Sequence, residues 1–189
     1  MVDPQAIRSS DRRDALLPFA RNCACRALGG TPAPDDRPRI EGRFGGAFVT
    51  FVRGKTLRGC VGRFEPTTEI VDTVEEVTRA SLADSRFANH PITLDELGEL
   101  TIEVSLLTDP FPTDDPLSLV PGTHGVIVRA GGRSGCFLPK VASERGWTAE
   151  EFLSNCCATK AGLADDAWRS PETEVLLFTA DVLSEEERD

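Results

Sequence analysis

Arg58 and Cys60, two residues apart, are the first side chains in this chain whose types and spacing could do covalent chemistry. They lie in Leu57-Arg58-Gly59-Cys60-Val61-Gly62, within the run Gly46 to Phe64, whose second half reads as a β-strand. Side chains alternate along a strand, so Arg58, Cys60 and Gly62 are expected on one face and Leu57, Gly59 and Val61 on the other. A guanidinium near a thiol favours the thiolate, which is the nucleophilic form. Gly59 and Gly62 in so short a strand mark a bulge, or a close approach by a ligand or another backbone. The plainer alternative is that Cys60 is a small strand residue packed against a helix, where thiols are inert.

Four further residues could handle protons or anions. His124 lies in the glycine-flanked turn Gly122-Thr123-His124-Gly125. An imidazole there is either a general base or a loop residue with no role. Glu103 and Ser105 share one face of a strand expected over 101–108, with Ile102, Val104 and Leu106 on the other. Arg86 either grips an anion with its planar fork or caps a helix ending near Asp84. A metal site is not expected. Cys23-Ala24-Cys25 and Cys156-Cys157 lack zinc-knuckle spacing, and His90 and His124 are the only histidines. There is no G-x-G-x-x-G, P-loop, G-x-S-x-G or H-E-x-x-H, so no cofactor is expected.

The hexamer closely resembles the L-R-G-C-I-G signature of the AMMECR family, the A component of AmmeMemoRadiSam systems. The resemblance extends in order through Asp84-Ser85-Arg86-Phe87, Ile102-Glu103-Val104-Ser105, Gly122-Thr123-His124-Gly125, Leu138-Pro139-Lys140-Val141-Ala142 and Lys160-Ala161-Gly162-Leu163, over about residues 46–183. It implies a functional site at Arg58, Gly59, Cys60, Gly62, Arg86 and Ser105. Within that site Cys60 would be nucleophile or covalent anchor and Arg58 its anion partner. Glu103 is the carboxylate best placed to pair with Arg58 or to move a proton, the alternative being a rim ion pair. Lys140 stands where the family has Gln. Lys offers only donors, so this chain is expected to prefer a more anionic ligand. The implied partners are a Memo-like protein and a radical S-adenosylmethionine enzyme. The chain has no C-x-x-x-C-x-x-C cluster motif, so radical chemistry would belong to the partner. The site residues themselves point to a Cys-dependent enzyme or enzyme component acting on a small polar metabolite; the alternative is a non-catalytic ligand-binding or scaffold protein using the same motif.

Composition bounds these readings. The chain has 189 residues, 40% apolar and 28% charged, with net charge −10, enough for a real core. That charge argues against non-specific nucleic-acid binding, which needs Lys and Arg to neutralise phosphates. No stretch approaches the ~20 apolar residues of a membrane span. Residues from Asp3 to Asp14 are too charged for a secretory signal, which points to the cytoplasm and to free thiols.

The elements that must position these residues read as follows. A helix is expected over 11–28, with Pro18 in its first turn. A hairpin joins 46–53 to 56–64 around Gly54-Lys55, and Pro66 opens a helix running to Asp84. Thr93 and Glu96 form a capping box for a helix over 94–99. The strand over 101–108 and a loop over 109–121 precede a second hairpin, 125–130 with 135–142, around Gly131-Gly132. Thr148 and Glu151 cap a helix that ends at Gly162, and 174–183 is the last strand. This order predicts one α+β domain over 1–189, two-lobed and mostly antiparallel, with the Arg58–Cys60 strand lining a cleft between lobes.

Overall fold

The computed structural model describes residues 9–34 and 37–186. Of the segment from Asp3 to Asp14, on which the absence of a secretory signal was expected, residues 3–8 lie outside the described residues. The fold is α+β, with two antiparallel four-stranded sheets, and the chain divides into two compact units.

The first unit runs to Leu107 and takes up the chain again at Asp181. Its strands are β1 (Phe44–Arg53), β2 (Thr56–Thr67), β3 (Thr101–Leu107) and β8 (Ala180–Ser184), in the order β2-β1-β3-β8. Helix α1 (Ser9–Ala27) packs on β3 and on α2 (Ile70–Leu82), and α2 packs on β1 and β2. Val49 and Phe51 of β1, and Ile102 and Val104 of β3, are fully buried with Leu16 of α1 and with Ile70 and Val74 of α2. These alternate strand residues form the core face, so Thr50, Glu103 and Ser105 face the other way. Between α2 and β3 lie a 3₁₀ turn (Ser85–Phe87) and the short helix α3 (Leu94–Leu97).

The second unit, Thr108–Ala180, holds β4 (Phe111–Pro112), β5 (Gly125–Ala130), β6 (Arg133–Phe137) and β7 (Glu174–Phe178), in the order β4-β7-β5-β6. Helix α4 (Pro139–Arg145) is followed by α5 (Ala149–Asn155), which continues into a π-turn, Cys156–Ala161. Val126, Val128, Phe152, Leu153, Cys156 and Trp168 form its core.

Four local expectations need correction. Pro18 lies inside α1, not in its first turn. Burial of Leu16, Leu17, Phe19 and Ala20 on both sides of it outweighs the ~3 kcal/mol that an interior proline costs. Pro66 lies in the last residues of β2 rather than opening a helix; β2 is an edge strand and its register with β1 shifts there, the two settings in which a sheet tolerates proline. Residues 139–142 are helical instead of extended, because Pro139 suits the first turn of α4. The final strand is two strands in different sheets, β7 and β8, broken at Thr179, whose carbonyl accepts from the Thr108 N–H at 3.0 Å.

Candidate functional site

Register in the first sheet sets two rows of side chains. Thr50 of β1 lies opposite Cys60 of β2 and opposite Glu103 of β3. Phe48 likewise lies opposite Gly62 and Ser105. Cys60, Gly62, Glu103 and Ser105 therefore share the face turned away from α1 and α2, with Thr50 and Phe48 between them. Gly62 is there because the Phe48 ring lies over it; a Cβ would come within 2.1 Å of that ring. Gly59 points the other way, against α2, where a Cβ would meet the Ser81 carbonyl oxygen at 2.2 Å. Both glycines answer to close approach within the protein.

The Cys60 peptide is held from outside the sheet. As β2 is an edge strand, the outward N–H and C=O of Cys60 have no neighbouring strand. The Asp84 carboxylate accepts from the Cys60 N–H at 3.0 Å, and Arg86 Nη2 donates to the Cys60 carbonyl at 2.9 Å. Arg86 also grips Asp84 through Nε and Nη2, at 3.0 and 2.6 Å. Asp84 further caps the 3₁₀ turn by accepting from the Arg86 N–H. Arg86 and these backbone donors hold the Asp84 carboxyl down at about 2, against the opposing pull of burial. One residue on, the Ser81 hydroxyl accepts from the Val61 N–H at 2.9 Å and donates to the Val49 carbonyl at 2.8 Å, bridging the β1–β2 ladder. On this fixed peptide the half-buried Cys60 Sγ accepts from Thr50 Oγ1 at 3.1 Å.

Arg58 does not serve Cys60. Phe51 lies opposite Gly59 but Val52 opposite Leu57, so the register slips and leaves Arg58 without a counterpart. Its guanidinium donates to Glu96 through Nε and Nη2, at 2.6 and 2.9 Å, and through Nη2 to the His90 carbonyl at 3.1 Å. That bidentate bond raises the pKa of Arg58 and lowers that of Glu96. The carboxylate paired with Arg58 is thus Glu96, not Glu103. The expected Thr93–Glu96 capping box is weakened as a result. The Glu96 N–H donates to Thr93 Oγ1, while the Glu96 carboxylate has Arg58 as its main partner and the Thr93 N–H as a weaker one. Arg58 and Glu96 line a hollow of 680 Å³ with Leu57, Phe87, His90 and Asp95.

His124 and Lys140 belong to the second unit. The Val120 N–H donates to His124 Nδ1 at 3.0 Å, so the neutral ring carries its proton on Nε2 and offers a donor there. Lys140 stands in the first turn of α4, where its carbonyl accepts from Ser143 Oγ. Among the described residues, no group of three or more His, Cys, Asp or Glu could hold a metal ion.

Thr50, Ser81 and Glu96 were missed as site residues. Thr50 is one of several polar strand residues, and only register puts it beside Cys60. Asp84 could have been found, since Asp two residues before Arg is the spacing of a local cap.

A thiol on the edge of a four-stranded antiparallel sheet, clamped by an Asp-x-Arg turn, defines an α+β protein of the L-R-G-C-x-G type. The model of the AMMECR1 family matches residues 17–183, and the chain belongs to that family. A protein of Methanothermobacter thermautotrophicus is 38% identical over 188 residues, covering 94% of this chain and 96% of its own length. Protein MK0488 of Methanopyrus kandleri is 45% identical over 153 residues, 75% of this chain and 72% of its own. The crystal structure of uncharacterized protein PH0010 from Pyrococcus horikoshii superposes with a TM-score of 0.80 at 36% identity, covering 90% of each chain. These names assign no reaction.

Proposed function

We propose that the Cys60 face of the first sheet is a thiol-dependent site for a small polar, anionic metabolite. The observation that carries this is the Asp84–Arg86 clamp. It fixes the Cys60 peptide and leaves the Arg86 side chain 51% exposed, with Nη1 unspent by any bond to Asp84 or Cys60. Arg86 is thereby the anion-binding group, the role first assigned to Arg58. Cys60 supplies the nucleophile or covalent anchor and Thr50 its hydrogen bond. Glu103, in the same row, is the proton-transfer group. By the family resemblance, the activity is exercised in the cytoplasm with a Memo-like protein and a radical S-adenosylmethionine enzyme.

Charge-selective alkylation tests this reading. Iodoacetate carries the anion that Arg86 would bind and iodoacetamide does not. The iodoacetate-to-iodoacetamide rate ratio at Cys60 should exceed that of the unfolded chain several-fold, and Arg86→Gln should abolish the excess. Equal ratios in native and unfolded protein would remove the anion site.

A second reading has its own support. Gly59 and Gly62 are each required by packing, as a non-catalytic scaffold would need. In that case Cys60→Ser leaves binding of every partner unchanged; in the thiol-dependent reading it removes turnover and retains binding.

A further inference from the structure

Of the four large apolar side chains that stand exposed among the described residues, three fall close together in the chain: Phe111, Leu117 and Val120, at 46%, 49% and 51%. All three belong to the second unit, on β4 and the loop that follows it. The core does not need them. Leu119, between Leu117 and Val120, is the residue that ties this loop inward, buried in one cluster with Val126 and Phe152. Phe111 meets the His124 ring edge-on at 6.4 Å, and His124 Nδ1 accepts from the Val120 N–H, so Phe111 and Val120 flank one imidazole. The loop backbone is well held. Thr113 Oγ1 accepts from the Asp115 N–H at 3.1 Å, and Asp115 Oδ1 from the Leu117 N–H at 3.2 Å. The Ser118 N–H donates to the Asp115 carbonyl at 3.0 Å, and the His124 N–H to the Val120 carbonyl at 2.9 Å. Apolar side chains presented on so constrained a backbone lose little entropy when a partner covers them.

We propose that this face docks a basic amphipathic helix of a partner protein. Charge selects the class of partner. Asp114 and Asp115 are exposed beside the apolar residues, and no Lys or Arg occurs from Asp109 to Val128. An anionic lipid surface and a second copy of this chain, with its net charge of −10, are both repelled, whereas apolar side chains accompanied by Lys or Arg are drawn in. The backbone selects the mode. The Thr113 N–H donates to the Val175 carbonyl at 3.0 Å, so along β4 the outward-facing residue is Pro112, which has no N–H. A strand added at this edge would find no donor there. Side chains must make the contact instead, as the apolar stripe of a helix does. The face does not depend on the reactivity of Cys60 and stands if that thiol proves inert.

The test is a titration of the ¹⁵N-labelled full chain, at constant ionic strength, with a peptide of Leu and Lys arranged at helical spacing. Two controls share its length: the same residues in scrambled order, and the helical pattern with Glu in place of Lys. Saturable amide shifts are expected between Phe111 and His124 with the amphipathic Leu/Lys peptide alone. Protein carrying Leu117→Ser and Val120→Ser should bind it roughly tenfold more weakly, as befits the loss of two buried aliphatic contacts. Should that variant misfold, the exposed substitution Asp114→Lys decides, and should also weaken binding. Equal shifts with the scrambled or the Glu peptide, shifts that map away from residues 111–124, or native affinity in the variants would each overturn the proposal. So would sedimentation showing the native chain to be a dimer that Leu117→Ser and Val120→Ser dissociate, since a second copy would then cover the face.

Discussion

Asp84 carries the heaviest electrostatic duty of any residue at the thiol. Its carboxyl ionises at about 2 in the folded protein, against an ordinary 3.8. A lowered folded value means that the stabilisation is complete above 3.8 and is lost as pH falls through about 2. The shift corresponds to about 2 kcal/mol at neutral pH. Asp84→Asn should lose roughly that much in urea unfolding at pH 7, with the gap to the native protein closing between pH 4 and pH 2. A gap unchanged at pH 2 would place the cost elsewhere. Thr50→Val tests the other contact of the thiol. It keeps shape but removes the donor to Sγ, so Cys60 alkylation at pH 7 should slow several-fold while the fold is retained. An unchanged rate would show that the hydroxyl does nothing for the sulfur.

At the level of elements, the β1–β2 hairpin and its contact with α2 are what hold the motif in place. Gly59→Ala drives a methyl into the Ser81 carbonyl, a backbone atom of a packed helix that cannot yield. It should destabilise by about 3 kcal/mol, the upper part of the range for overpacking. Gly62→Ala first meets the Phe48 ring, so its cost should fall sharply in a Phe48→Ala background. Comparable costs in both backgrounds would mean that Phe48 is not the obstacle. Much of this level was legible in the sequence. The turn at Gly54-Lys55, the Thr148–Glu151 box and the left-handed Gly162 stand where local chemistry puts them. What was not legible depends on tertiary contacts. Strict alternation placed Arg58 beside Cys60, but one slipped residue sends it to Glu96, and no local rule announces the slip. Glu96 reads as a cap from its neighbours alone, and the diversion to Arg58 comes from a strand 38 residues away. Thr179 gives no local sign that it separates two sheets.

Across the whole molecule, net charge −10 and a pI near 4.8 set the expectation for macromolecular partners. No helix among the described residues is long and apolar enough to cross a membrane. Neither duplex DNA nor RNA should be retarded by the protein at physiological salt; a shift that weakens steeply with salt would contradict this. The six cysteines also divide by environment. Burial raises the thiols of Cys23, Cys156 and Cys157, whereas Cys25, Cys60 and Cys136 are half-buried. The most direct test of the thiol-dependent site is therefore iodoacetamide labelling of the native protein at pH 7, with peptide mass spectrometry to resolve all six positions. The account predicts that Cys60 reacts first, ahead of Cys25 and Cys136, with the three buried thiols silent until the chain unfolds. Labelling of Cys25 and Cys136 while Cys60 stays unmodified in the folded protein would contradict it, and would leave Cys60 as packing.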